Sequence, residues 1–534
     1  MFLAATTTPT GLKWQDSLIV AVYCVALVFL GLYFKWRERR GDAEEYLLAS
    51  RSVHWLIVGI ASFMTLISVS SLVSLPGEAY NHGVSLAVRS VIGPLLGIPM
   101  FYLCIRFYFA AGIYTPFTYL ERRFDRRIRV VGSISYLIIR TFYLALTLFA
   151  SAKVFEGVAG WSFMQSVLLV SVVGLAYVYL GGMKAVVWAD FFQFIILILG
   201  LVLIVVACMN RTGLGLGGLW QYAQEQGRGF NFAAQADFYS LSPYVRVSLF
   251  LIIFSAFSDR LFYLSADQMA VQRLLSAHSY SSAARANLFS MLLQIPVILF
   301  VWFVGLAVFA YYGQTHPAES RPPGDVALFQ FVATQLPPFG GGLFIAACLG
   351  AIMSTYDAGL HSLATVYVKD VHLIHVNPAA DETRQVWLSR AAILAVAAAT
   401  IAGAFIIGYT APAIAGSFIE TQVFWIAFQG IVAVCFLAGV LSTRATGRDI
   451  RRAFWLSGLV TVGTVIWYVH SRRTGQPISF LFVALPGELA MFVFSLLPSL
   501  WRSRLPEERI RNLTLFTLDS REPRDARPHT KDGS

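Results

Sequence analysis

The chain has 534 residues, 57% of them hydrophobic and only 13% charged, with a formal net charge of +11 and a mean hydropathy of +0.66. A soluble domain carries about a quarter charged residues, so this composition excludes an ordinary globular enzyme and indicates a polytopic membrane protein. The positive charge sits mostly in loops between apolar stretches, where it orients spans rather than binding nucleic acid.

In chain order, the apolar stretches predict about thirteen membrane helices near 16–35, 54–80, 85–108, 131–157, 163–181, 185–208, 244–266, 284–312, 341–368, 387–409, 414–441, 452–470 and 478–500. Crossing roughly 30 Å of hydrocarbon takes about 20 residues. No alternating ten-residue pattern recurs, so the expected fold class is all-α and not a barrel. The five cysteines lie inside apolar segments without metal or redox spacing and read as small packing residues. No cleavable signal precedes the first apolar run, which is expected to remain as a helix.

Lys35, Arg37, Arg39 and Arg40 follow the first span, Arg122 to Arg129 the third, Arg273 and Arg285 flank the loop after the seventh, and Arg444 to Arg452 follow the eleventh. Counted alternately these fall on one side, with Arg472 and Arg473 dissenting. That predicts an external N-terminus and a cytoplasmic C-terminus in a multi-pass plasma-membrane protein. Two longer connections, about 209–243 and 313–340, are external in this count and either cap a vestibule or merely connect. The tail from Leu505 is polar and proline-bearing, and is expected to be disordered.

Several spans carry polar residues that hydrocarbon does not tolerate cheaply. The second holds Thr65, Ser68, Ser70, Ser71, Ser74, Pro76 and Gly77. It is either interrupted near its middle, with carbonyls freed toward a cavity, or a serine-rich packing face with a proline kink. Arg89, Arg140, Lys153, Asp190, Asp259 and Arg260 are charged residues within spans, each a functional candidate by default. Asp259 and Arg260 could instead neutralise one another, and Lys153 and Asp190 could sit near interfaces. Arg140, apolar on both sides, is expected to face a cavity, where its planar fork suits a carboxylate. Glu420 and Gln422 interrupt the eleventh span near its outer end, as gate or as helix cap. The ninth span gathers Ser354, Thr355, Asp357, His361 and Ser362 among glycines and alanines. Hydroxyl, carbonyl and carboxylate oxygens bind a small hard cation. No HExxH or other paired-ligand spacing points to an enzyme.

Local patterns now coincide. Tyr177 to Ala185, with Gly181-Gly182, continues to Trp188-Ala189-Asp190-Phe191-Phe192-Gln193. Asp267-Gln268 precedes Val271-Gln272-Arg273. Thr115 to Phe124 reads TPFTYLERRF, Leu441 to Thr446 reads LSTRAT, and Met353-Ser354-Thr355 lies in the ninth span. Over roughly residues 15 to 450 the chain resembles the sodium:solute symporter family. Its site residues are most similar to those of bacterial sialic-acid or monocarboxylate-transporting members.

The resemblance implies a ten-helix core of two inverted five-helix repeats, working by alternating access. Residues 1–53 would form the N-terminal segment with its first helix and 54–443 the core. Residues 444–500 would form two accessory helices and 501–534 the cytoplasmic tail. It implies a sodium site from the carbonyls of Met64, Ile67 and Ala351 and the hydroxyls of Ser354 and Thr355. A second cation would involve Asp190 and Asp357. The solute, expected to be a sugar acid or a small carboxylate, would meet Ser68, Ser71, Ser90, Arg140, Arg260, Tyr263 and Gln422. A neutral sugar or polyol is the alternative solute, and a solute sensor of the same fold is separated by the signalling modules such sensors carry. Sodium is the one ion required, with the lipid bilayer as surroundings. No organic cofactor, nucleic acid or obligate protein partner is expected.

Overall fold

The computed structural model of the chain describes residues 13–37, 43–49, 52–230, 236–410 and 423–518. Its α-helices, in chain order, are α1 (Trp14–Arg37), α2 (Ala43–Leu48), α3 (Trp55–Leu66), α4 (Val69–His82), α5 (Arg89–Ala111), α6 (Pro116–Arg123) and α7 (Arg126–Ala159). Next come α8 (Phe163–Thr212), α9 (Leu216–Glu225), α10 (Leu249–Ser265), α11 (Gln268–Leu275), α12 (Tyr280–Thr315), α13 (Gly324–Gln335) and α14 (Gly340–Val366). The last are α15 (Leu373–His375), α16 (Glu382–Thr410), α17 (Val423–Leu441), α18 (Gly447–Arg473), α19 (Leu485–Leu496) and α20 (Glu507–Ile510). Among the described residues the one β feature is an isolated bridge between Val53 and Ala277. Eight helices are long and apolar enough to cross a membrane by length and composition, or up to ten if each of two bent pairs is one span.

The first bent pair is the expected interruption of the second span. It lies nine residues before Pro76. Ile67 (φ −98°, ψ 114°) and Ser68 (φ −104°, ψ 163°) are both extended, and Ser68 caps α4 by accepting from the Ser71 amide. A serine side chain that accepts from the amide three residues on starts a new helix and so fixes where the old one ends. The axes of α3 and α4 differ by 58° across this break, and those of α10 and α11 by 53°.

The predicted fifth and sixth spans form one helical run, α8, kinked where Gly182 adopts φ 56°, ψ −154°. This conformation is essentially closed to residues with a Cβ. A Cβ there would also stand 2.8 Å from the Tyr46 ring and 2.9 Å from its carbonyl oxygen.

Helix α14 is the axis of the bundle. Of its 27 residues all but Gly341 and Leu343 are buried, whereas α1 turns Val22, Val25 and Phe29 outward. A helix buried all round must satisfy its polar groups internally. Helix α14 packs against α8, α7, α1 and α16, and also touches α3 and α4 at the break.

Four expectations are corrected. The connection after α10 is not a solvated loop: α11 is wholly buried, Arg273 included. The two long connections contain α9 and α13. Residues 505–518 are not free of the fold. The Leu515 amide donates to the Val440 carbonyl at 3.0 Å, and the Tyr119 hydroxyl donates to the Leu513 carbonyl at 2.7 Å. The last span is shorter than 478–500, since α19 begins only at Leu485. Residues 411–422, with Glu420 and Gln422, lie outside the described residues.

Candidate functional site

Helix α14 meets the broken helix with the hydroxyl pair Ser354–Thr355, both fully buried. Thr355 Oγ1 donates to the Ala351 carbonyl at 3.2 Å, so these two candidate donors share one turn. Ser354 Oγ makes no well-aligned hydrogen bond and has the Asp190 carboxylate as a neighbour. On the broken helix, the Met64 carbonyl accepts from the Ile67 amide at 3.2 Å. The extended Ile67 turns its own carbonyl out of the helical ladder. Hydroxyls on α14 and a turned-out carbonyl on a helix that α14 touches are the kinds of oxygen a small hard cation binds.

Asp190 and Asp357 are brought together by a residue that sequence reasoning treated as loop charge. Arg273, 1% exposed, donates from Nε and Nη2 to Asp190 Oδ2 at 3.1 and 2.6 Å, and from Nη2 to the Ser354 carbonyl at 3.3 Å. Its Nη2 lies 3.8 Å from Asp357 Oδ1. Asp357 also accepts from the Tyr177 hydroxyl and the Ala358 amide. Asp190 is thus deeply buried rather than interfacial, and its Oδ1 is left without a partner. Two carboxylates and one guanidinium are thus buried together, and the Ser354 carbonyl belongs to the same cluster.

On the other side of the break, Ser68 Oγ and Ser71 Oγ are 3.4 Å apart, and the Tyr143 side chain is a hydrogen-bond neighbour of Ser68. One turn before Tyr143 stands Arg140, 4% exposed. Its guanidinium lies 4.8 Å from the Tyr143 ring and 5.7 Å from those of Phe262 and Trp425. It is ion-paired with Asp267. Asp267 caps α11 through the Met269 amide at 3.0 Å and accepts from the Tyr136 hydroxyl at 3.2 Å. Tyr136 in turn lies 3.0 Å from Ser362 of α14. Arg140, expected to face a cavity, is instead packed among aromatic rings and ion-paired with Asp267, with its Nε left without a partner.

The remaining candidates line a second flank. Ser90 accepts from Trp302 Nε1 at 3.1 Å. The Tyr263 hydroxyl donates to the Ser62 carbonyl of α3 at 2.9 Å, tying α10 to the broken helix. Arg260 points between α5 and α12. Asp259 and Arg260 do not neutralise one another: Asp259 pairs with Arg89 and accepts from Gln429 at 3.1 Å. Lys153, near the C-terminal end of α7, pairs with Glu156 at 2.7 Å.

Sequence reasoning did not assign three members of this arrangement to the site. Asp267, Gln272 and Arg273 stood out only as a motif after the seventh span, and that motif was the available signal. Gln272 Nε2 reaches the Leu47 carbonyl at 2.7 Å and Thr365 at 2.9 Å, and lies 3.0 Å from His361 Nδ1.

Comparison with known proteins agrees with this architecture. The sodium/sialic acid symporter NanT of Aliivibrio fischeri is 25% identical over 505 residues, 92% of this chain and 94% of that protein. The sodium-coupled monocarboxylate transporter 2 of Danio rerio is 27% identical over 395 residues, 72% of this chain and 62% of its own length. A sodium-coupled sialic acid symporter, solved substrate-bound and outward-open, superposes with a TM-score of 0.79 over 92% of this chain and 99% of that one, at 20% identity. The sodium:solute symporter family profile matches residues 46–454. With more than half of its length matched, the chain belongs to the sodium:solute symporter family.

Proposed function

We propose that this protein is a secondary transporter that couples sodium entry to uptake of a small organic anion by alternating access. The observation that carries the reading is the helix break at Ile67–Ser68 together with the buried Ser354–Thr355 hydroxyls and the Asp190–Arg273–Asp357 cluster on the helices packed around it. Broken helices in transporters expose carbonyls for the ion and amides for an anionic solute at one place, so binding of the two is coupled.

In this reading sodium binds the carbonyls of Met64, Ile67 and Ala351 and the hydroxyls of Ser354 and Thr355. Asp190 Oδ1, the oxygen that Arg273 leaves free, is the one point at which a second cation would attach. The solute lies beside Ser68 and Ser71, with Arg140, Ser90, Arg260 and Tyr263 as further contacts; Gln422, the remaining candidate, lies outside the described residues. Thirteen spans, an external N-terminus and a cytoplasmic C-terminus accord with the positions of the basic loops. Residues 54–443 are read as the inverted-repeat core, and the following helices as accessory. The names of the relatives favour a sugar acid such as sialic acid, or a monocarboxylate.

A thermal-shift panel on the purified protein tests this. A ligand that binds only the folded state raises its melting temperature. An acid from the panel should stabilise in sodium and not in potassium. A shift from neutral sugars alone would discard the anion, and no response to sodium would discard the ion site.

A further inference from the structure

We propose that Arg260, rather than Arg140, holds the solute's carboxylate. This rests on the symporter reading above and assigns the charge recognition within it. The buried arginines of the bundle are otherwise accounted for. Arg140 pairs with Asp267 and Arg273 with Asp190. Arg129 pairs with Asp370 and Glu121, and Arg123 donates to the carbonyls of Gly439, Ser442 and Ala445.

Arg260 is 9% exposed and, among the described residues, has no ion pair. Its Nη1 has only the Met291 sulfur, at 3.9 Å, and its Nε has no hydrogen-bond partner. An arginine cannot shed its proton to escape such a site. A buried, unmatched guanidinium is costly unless an anion completes it.

The surroundings are shaped for that completion. The guanidinium lies along α5 at Gly93, where a Cβ would come within 3.2 Å of Nε and 3.3 Å of Nη2. A glycine there lets the guanidinium lie directly against α5. Beneath it, at 5.9 Å, is the ring of Tyr263, the residue that ties α10 to the broken helix. Arg260 is thus one helical turn along α10 from Tyr263, whose hydroxyl reaches Ser62 on α3, five residues before the break. The helices that Arg260 and Tyr263 touch carry further unmet polar atoms: Ser62 Oγ on α3, and Ser290 Oγ and Gln294 Oε1 on either side of Met291 along α12. A planar fork takes a carboxylate through paired N–H donors, while hydroxyl and amide groups serve the uncharged remainder of the molecule. The ligand class is a small organic monocarboxylate bearing hydroxyl or amide groups.

The test is a thermal shift on the full-length protein in sodium, with lactate, pyruvate and N-acetylneuraminate each set beside its methyl ester. The acid that stabilises wild type should do so at about tenfold lower concentration than its ester, or better. In Arg260→Gln that ratio should fall to about one, while Arg260→Lys should retain a clear preference. Stabilisation by sodium alone should persist in both variants, showing that they fold and keep the ion site. The proposal is overturned if Arg260→Gln keeps the wild-type ratio, and loss of the ratio in Arg140→Gln would then place the carboxylate there. No acid preference in wild type removes the anion reading together with Arg260. A preserved sodium response would in that case leave the sodium-coupled symporter standing.

Discussion

Arg140 on α7 and Asp267 at the start of α11 form a buried ion pair, 5% and 6% exposed, that locks the bend after α10 to the fourth predicted span. Because Asp267 also caps α11 and accepts from Tyr136, the pair ties α7, α11 and, through Ser362, α14. Removing one partner of such a pair strands the other charge. Asp267→Asn should therefore cost about 3–5 kcal/mol, read as a lowered melting temperature in detergent. The double variant Arg140→Gln with Asp267→Asn should recover much of that loss. A single Asp267→Asn variant as stable as wild type would show that the pair is not satisfied as described.

The Ser354–Thr355 pair should be indispensable to sodium and dispensable to folding. Ser354→Ala with Thr355→Ala removes two hydroxyls, one of them without a well-aligned hydrogen bond and the other bonded only within its own helix. The variant should insert and fold normally but lose sodium-induced stabilisation. A full sodium response in it would sink the assigned site.

Arg273 should be less replaceable than either acid it serves. Arg273→Gln leaves Asp190 and Asp357 buried side by side without their shared cation. It should be destabilised by several kcal/mol, and yield and melting temperature report this directly. Asp357→Asn keeps the Arg273–Asp190 pair and removes the second carboxylate of the cluster. It should fold, and should weaken the sodium response by reducing the attraction at Ser354.

The kink in α8 makes a separate prediction. Gly182→Ala must both adopt a conformation closed to alanine and push into Tyr46. A cost of about 1–3 kcal/mol is expected for the backbone alone. Gly213→Ala is the control for a glycine with φ 70° but open space around it, and it should be milder.

Much of the architecture was legible in the sequence because hydrocarbon makes it so. Apolar length locates spans, and the polar residues of 54–80 and 341–368 stood out because they are expensive there. The break falls at Ile67–Ser68, near the middle of the predicted span, and the Ser68 cap rather than Pro76 marks it: Pro76 sits eight residues further on, inside α4, with only one amide missing. Charge partners were not legible, since nothing in local sequence says that Arg140 meets Asp267 or that Arg273 is buried. Reading Arg273 from its flanks gave loop charge, whereas α11 folds inward and presents it to Asp190. The packing of 505–518 under α17 was hidden for a similar reason: a polar, proline-bearing tail is held by backbone hydrogen bonds such as that from Leu515 to Val440, which composition does not reveal.

The most direct test of sodium-coupled anion transport is uptake into proteoliposomes of the acid that stabilises the purified protein, under an inward sodium gradient. The acid should accumulate above its external concentration, collapse to equilibration when potassium replaces sodium, and fail to accumulate in the Ser354→Ala, Thr355→Ala variant. Accumulation that is indifferent to the sodium gradient, or that persists in that variant, would contradict the account.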